Sequence, residues 1–136
     1  MNRCTDEVGS GCCCRRGRAT SRAFQPPPPF TTHGTAWVDV QTGGLSGSTT
    51  LQASDFQSAA TVVRGASLTN AASNGSWSEG VLTAAGVLGV NKTGTTQFRV
   101  SFERDDNDNA RADYVGYYAA DNSNAANRPQ LVVTYR

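Results

Sequence analysis

Regular alternation of apolar and polar side chains is the sequence feature that most limits how this chain can fold. In residues 96–103 the apolar residues Phe98, Val100 and Phe102 stand at every second position. A period of two is typical of a β-strand with one buried face and one solvated face. The same alternation returns in residues 130–136, where the sequence ends. The sequence therefore predicts an antiparallel β-domain that includes its last strand in a sheet.

Further short segments of the same character are separated by turn residues rich in Gly, Asn, Ser and Asp. Regular short strands with turn signals between them are typical of a β-sandwich or a barrel. One more segment, residues 83–91, fits either a strand or a short helix, because its glycines weaken a long helix. The additional predicted strands are residues 34–44, 61–68, 76–82 and 113–119.

The composition and charge argue against several classes of function. Charged residues make up only 17% of the 136 residues. No window approaches the ~18 apolar residues of a membrane-spanning helix. The net charge is +1, but residues 34–136 carry nine acidic and seven basic side chains, which is a net of −2. A slightly acidic domain has no electrostatic attraction to phosphate backbones. We therefore predict no nucleic-acid partner and no membrane span.

The first 29 residues differ from the rest of the chain. They have almost no apolar periodicity, they end in four consecutive prolines, and they hold all four Cys, at positions 4, 12, 13 and 14. Consecutive prolines favour an extended segment without internal hydrogen bonds. Three adjacent Cys without a second pair do not match the spacing of a zinc site. We predict a disordered or non-native tail over residues 1–29 and a β-domain over residues 30–136.

Six stretches stand out in the sequence, at residues 29–34, 37–43, 51–60, 90–99, 105–108 and 128–131. Their order and spacing resemble the DNRLRE family of secreted bacterial modules, which are classed with carbohydrate-binding modules. The closing segment Arg128-Pro129-Gln130-Leu131 is one of them. The Ser-Arg-Glu step that often precedes the last strand in that family is absent here, and Tyr117-Tyr118-Ala119-Ala120-Asp121 stands in its place.

The resemblance implies an all-β, jelly-roll-like antiparallel β-sandwich without catalytic activity, located outside the cell or on its surface. Members of the family have an earlier half with several strands. This chain resembles the C-terminal portion only, so the implied sandwich is partial and belongs to a larger multidomain protein. A partial sandwich leaves strand edges without partners, and such edges recruit other chains. Either residues 35–41 or residues 96–103 are the expected exposed edge.

Aromatic side chains are the candidate ligand-binding residues, because carbohydrate modules stack flat rings on the apolar face of a pyranose. Trp37, Trp77 and Tyr117 are the candidates, with a polysaccharide or cell-wall glycan as the partner. The alternative for each is packing in the core, where aromatic residues are common. Trp37 alternates with Val38 and Val40, so its ring lies either on an outer face or on the second face of a buried sheet.

An acidic segment, residues 105–113, is the candidate metal site. Asp105, Asn107, Asn109 and Asp113 place oxygen ligands at positions one, three, five and nine of a calcium loop. Position six is Ala110 rather than Gly, and no Glu stands at position twelve. The alternative is a solvated turn, in which Asp and Asn are common. A structural calcium ion is thus the candidate ligand of this loop. We predict that the domain requires no cofactor.

No catalytic set is evident in the sequence. The acidic residues cluster in one loop, whereas glycoside hydrolysis needs two carboxylates across a cleft. A catalytic triad needs a His, and His33, next to the proline-rich segment, is the only one. Two non-enzymatic functions follow: a carbohydrate-binding module, or a structural spacer domain of a surface protein that binds no sugar.

Overall fold

The computed structural model describes residues 12–22 and 29–135, and within these ranges the protein is all-β with a few short helical segments. The two short α-helices are α1 (Pro29–Thr32) and α2 (Ala84–Leu88). The strands are β1 (Cys12–Arg22), β2 (Ala36–Thr42), β3 (Val62–Leu68), β4 (Trp77–Gly80), β5 (Thr96–Phe102), β6 (Gly116–Tyr117) and β7 (Gln130–Tyr135).

The first sheet has three antiparallel strands in the order β3-β2-β5. Val38 of β2 lies opposite Ala66 of β3 on one side and Val100 of β5 on the other. Because β2 is the central strand, residues 35–41 are not the exposed edge, and the first of the two alternatives is ruled out. Among the described residues β5 ends the sheet, in agreement with the other predicted edge.

The second sheet forms around β1, which pairs in antiparallel fashion with β4, β6 and β7. Gly17 of β1 lies opposite both Gly80 of β4 and Leu131 of β7. This residue is therefore inside the sheet, with a hydrogen-bonded neighbour on each side.

The strand β1 differs from the expectation that residues 1–29 form a tail without regular structure. Residues 1–11 and 23–28 lie outside the described part of the chain. Cys12–Arg22, by contrast, is a strand of eleven residues. Sheet hydrogen bonds are made by backbone groups, which every residue except Pro provides. A segment with little apolar periodicity can therefore still pair when β4 and β7 offer free edges on both sides.

The hydrophobic core contains side chains from both sheets. Its buried members come mainly from β2 and β3, together with Leu82 and Val90, and Leu131 and Val133 of β7 pack against them. The side chain of Val40 is fully buried. Both sheets therefore contribute side chains to one apolar cluster, whose burial is the main stabilising term for a domain of this size.

Within residues 83–91 the structure has the short helix α2 (Ala84–Leu88) and no strand. The Thr83 hydroxyl caps α2 by accepting a hydrogen bond from the Gly86 backbone N–H at 3.0 Å. A Cβ atom at Gly86 would collide with the backbone carbonyl of Gly65 in β3. The glycines that make this helix weak by propensity thus allow it to pack directly on the sheet. No helix in the described ranges is long and apolar enough to cross a membrane.

Candidate functional site

Trp37 lies on the face of the three-stranded sheet that points away from the core. Its neighbours Ala36 and Val38 are buried in the core, so alternation along β2 directs Trp37 outward. Ser67 of β3 and Ser101 of β5 lie directly opposite it, and both are exposed. The Trp37 ring is half-buried, and its Nε1 is buried without a described acceptor.

Arg64 covers part of this ring. Its guanidinium carbon lies 4.9 Å from the centroid of the Trp37 ring, which is a cation–π distance. Arg64 has a φ of 56°, a left-handed conformation that is uncommon for a non-Gly residue. The pairing register of β2 and β3 shifts between Val38 and Val40, next to this residue. A bulge in β3 therefore directs Arg64 toward Trp37.

A buried ion pair fixes the bulge and the adjoining loop. Asp39 Oδ1 accepts a hydrogen bond from the Arg64 backbone N–H at 2.8 Å. Asp39 Oδ2 accepts from Arg99 Nη2 at 2.7 Å and from Arg99 Nε at 3.2 Å. Arg99 Nη1 donates to the backbone carbonyls of Asp55 and Ser58, both at 2.7 Å. One carboxylate and one guanidinium thus join β2, β3, β5 and the loop before β3.

The same loop covers one end of the outer sheet face and leaves the other end open. Gln97 Oε1 accepts from the Leu45 backbone N–H at 2.7 Å, and Gln97 Nε2 donates to the Thr49 carbonyl at 3.1 Å. Residues 45–58 are therefore held over the half of the face around Gln97 and Arg99. The open half consists of Trp37, Arg64, Ser67 and Ser101, which we call the Trp37 surface.

Trp77 and Tyr117 belong to the other sheet, so the three predicted aromatic residues do not form one surface. Trp77 is half-buried in β4, and Ser78 beside it is fully buried. The Tyr117 hydroxyl is buried and has no hydrogen bond of accepted geometry to any described group. Burial raises the pKa of the Tyr117 phenol, and the Ser78 hydroxyl partly offsets that rise. Ser78 itself donates to the Thr69 carbonyl at 2.5 Å. This environment favours packing for Tyr117.

The acidic loop is held by hydrogen bonds among its own residues. The side-chain oxygens of Asp106, Asn107 and Asn109 each accept from the backbone N–H two positions further on. Asp108 and Ala110 both have a φ of 55°. Asn and Asp often form such local turns. The oxygens counted as calcium ligands in the sequence are therefore already used, in part, to fold the loop.

Asp113 ties this loop to the domain. Its Oδ2 accepts from Asn107 Nδ2 at 2.7 Å and lies 3.8 Å from His33 Nδ1. The same His33 nitrogen is 2.7 Å from Thr32 Oγ1. A catalytic triad needs the acid and the nucleophile on opposite nitrogens of the imidazole. Here both approach Nδ1, so Thr32, His33 and Asp113 do not have triad geometry.

Of the four predicted calcium ligands, Asp105, Asn107, Asn109 and Asp113, the structure joins Asn107 and Asp113 by a hydrogen bond. Within residues 12–22 and 29–135 no group of three or more His, Cys, Asp or Glu side chains is placed to hold a metal ion. Asp113 is buried against His33, whereas Asp105 is exposed. The arrangement favours a plain turn docked on His33.

We expect calcium to leave the stability of the chain unchanged. A ligand that binds only the folded state raises Tm by mass action. Millimolar calcium chloride should therefore shift Tm by less than about one degree relative to EDTA in differential scanning fluorimetry. A rise of several degrees that disappears in Asp105→Ala, with Asp121→Ala as the matched exposed control, would establish the ion in this loop.

Two features of the site were not predicted from the sequence. Arg64 was part of a predicted strand, and the contact of Asp39 with Arg99 joins residues 60 positions apart. Alternation along β2 places Asp39 on the outer face, where a carboxylate is usually solvated, so the local pattern gives no signal for its burial.

Comparisons with protein-family models, with curated proteins and with solved structures found no match for this chain. The resemblance to the DNRLRE modules therefore stays a prediction from the quoted stretches.

Proposed function

We propose that this chain is a non-catalytic carbohydrate-binding module of a secreted or cell-surface bacterial protein. In this proposal the domain is a partial jelly-roll-like β-sandwich of the DNRLRE type, within a larger multidomain protein. Its partner is a polysaccharide or a cell-wall glycan, and it requires no cofactor. The core shared by the two sheets supports the sandwich part of the proposal.

The observation that carries the proposal is the position of Trp37. Its ring is on the outer face of a sheet, at the end that the covering loop leaves open, with exposed Ser67 and Ser101 on either side. A sugar ring offers an apolar face for the indole and hydroxyl groups for polar neighbours. The Arg64 guanidinium, which lies over part of the same ring, provides hydrogen-bond donors next to it. The Trp37 surface therefore has both kinds of group that a pyranose needs.

The alternative function is a structural spacer domain without a sugar ligand. The burial of the Trp37 Nε1 and of the Tyr117 hydroxyl favours it. In that case Arg64 and Trp37 form a closed cation–π contact that stabilises the bulge, and no polysaccharide binds.

The test is a matched pair of Trp variants. Trp37→Ala should weaken binding to any polysaccharide found in a glycan-array screen by at least about tenfold, which is about 1.4 kcal/mol. Trp77→Ala should bind within about twofold of the unchanged protein, because Trp77 lies on the other sheet. Affinity electrophoresis measures both, after circular dichroism has shown that each variant is folded.

Two results would contradict the assignment of the Trp37 surface. One is full affinity in a folded Trp37→Ala variant, and the other is loss of affinity in Trp77→Ala alone. A chain that binds no glycan on the array and in the electrophoresis supports the spacer function.

A further inference from the structure

The strand β5 has an open edge and an open apolar face. It ends the sheet order β3-β2-β5, and no described strand pairs with its other side. Phe98 lies opposite Val40, and Val100 lies opposite Val38, so both point to the core side of the sheet. Val38 and Val40 are nevertheless 7% and 0% exposed, whereas Phe98 and Val100 are 39% and 44% exposed. The apolar side of the sheet is thus buried at β2 but partly exposed to solvent at β5.

The sequence of β5 is complementary to itself when two copies of the strand pair in the antiparallel direction. If Arg99 is placed on a two-fold axis, Phe98 of one copy lies opposite Val100 of the other, and the reverse. Aromatic and β-branched residues are favourable cross-strand pairs. Arg99 would lie opposite its own copy, but its charge is already paired with Asp39 at 2.7 Å. Pairing of the two strands about Arg99 therefore does not bury two unpaired positive charges.

The charges on either side of β5 are complementary in the same arrangement. The segment before the strand carries the exposed Lys92. The segment after it, residues 103–108, carries four acidic residues and one Arg. Antiparallel pairing about Arg99 brings the end of β5 that follows Lys92 in one copy beside the end that precedes the acidic segment in the other. Such charges fix the orientation and register of an interface more than its affinity.

We propose that the partner of this edge is a second copy of the chain, paired β5 to β5 about a two-fold axis. The two three-stranded sheets become one sheet of six strands, and Phe98 and Val100 of both copies cover one another. A two-fold interface of this kind closes on itself and leaves no further edge there. A contact of one strand per copy lies below the ~1,200 Å² of a standard interface. The dimer is therefore weak and depends on concentration.

Sedimentation velocity of the full chain over a concentration series, with a reductant to exclude disulfide links, tests the dimer. The unchanged protein should shift from monomer to dimer as the concentration rises. Val100→Lys should weaken dimerisation by at least about tenfold, because a charge then faces the apolar pair. Val63→Lys is the matched control, since Val63 is 63% exposed on β3, at the opposite end of the same sheet. It should dimerise like the unchanged protein.

A charge exchange keeps the proposal testable if Val100→Lys does not fold. Lys92→Glu should weaken the dimer, and Lys92→Glu combined with Asp106→Lys should restore it. The proposal is overturned by a chain that stays monomeric at every concentration, by association that continues to assemblies larger than a dimer, or by equal losses in Val63→Lys and Val100→Lys. Failure of glycan binding leaves it unaffected, because Trp37 points to the other face of the sheet.

Discussion

Removal of residues 1–28 is expected to abolish the cooperative unfolding transition of this protein. The deletion takes away β1, which pairs with β4, β6 and β7 and is the strand that all three share. Without it, β4 and β7 lose their hydrogen-bonded neighbour, and Leu131 and Val133 are no longer held against the core. The second sheet then has no means of forming, since unpaired strands are not stable in water. Circular dichroism during thermal unfolding measures the effect.

A shorter deletion is the control. Removal of residues 1–11 keeps all of β1 and should leave a sharp transition. The outcome that contradicts the structure is a monomeric chain of residues 29–136 that unfolds sharply and reversibly. That result would mean that β1 is not part of the folded domain and that the domain starts at residue 30, as the sequence alone predicts.

Replacement of Asp39 by Ala is expected to lower the free energy of unfolding by about 3–5 kcal/mol. The carboxylate is buried, it is the ion-pair partner of Arg99, and it accepts the backbone N–H of Arg64. Its removal leaves a largely buried guanidinium without a counter-charge and a backbone donor without an acceptor. A loss of that size is a large fraction of the stability of an ordinary domain. Urea unfolding measures it directly.

Two further variants separate the causes. Asp39→Asn keeps an acceptor for the Arg64 N–H and removes only the charge, so its loss should be smaller than that of Asp39→Ala. Asp121→Ala removes an exposed carboxylate and should change the free energy of unfolding by no more than about 0.5 kcal/mol. A loss below about 1 kcal/mol for Asp39→Ala would mean that the ion pair does not hold β2, β3 and β5 together.

Local pattern was sufficient to predict two of the strands. The alternation in residues 96–103 and 130–136 corresponds to β5 and β7. Phe102, Leu131 and Val133 pack against the core, but the apolar face of β5 is only partly buried, because Phe98 and Val100 are exposed. The predicted strand at residues 113–119 is shorter, with only Gly116–Tyr117 in a sheet. Asp113, at its start, is instead held by Asn107 and lies beside His33.

Contacts between distant segments could not be predicted from local pattern. The role of β1 depends on backbone hydrogen bonds to strands about 60 and 115 positions away, which leave no apolar signature. The strand order that places β2 in the centre depends on the same kind of pairing. It is the reason why residues 35–41 are not an edge.

The candidate site was predictable in part. Alternation in β2 predicts that Trp37 and the core valines lie on different faces of the sheet. The ring was expected on an outer face or on the second face of a buried sheet, and the structure has it on the outer face. Arg64 was not predictable, because its left-handed backbone and the bulge around it arise from the Asp39 hydrogen bond across the sheet. The acidic loop was predicted to be a calcium site or a solvated turn, and neither prediction included the contact of Asp113 with His33, 80 positions earlier in the chain.

Tryptophan fluorescence tests the proposed function most directly. Trp77→Phe leaves Trp37 as the sole tryptophan, and Trp37→Phe leaves Trp77. Titration with the polysaccharides of the screen should shift the emission of the Trp77→Phe protein in a saturable manner, because the sugar covers the Trp37 ring. The Trp37→Phe protein should show no change. A saturable shift in the Trp37→Phe protein alone, or no shift in either protein with any polysaccharide, would contradict sugar binding at the Trp37 surface.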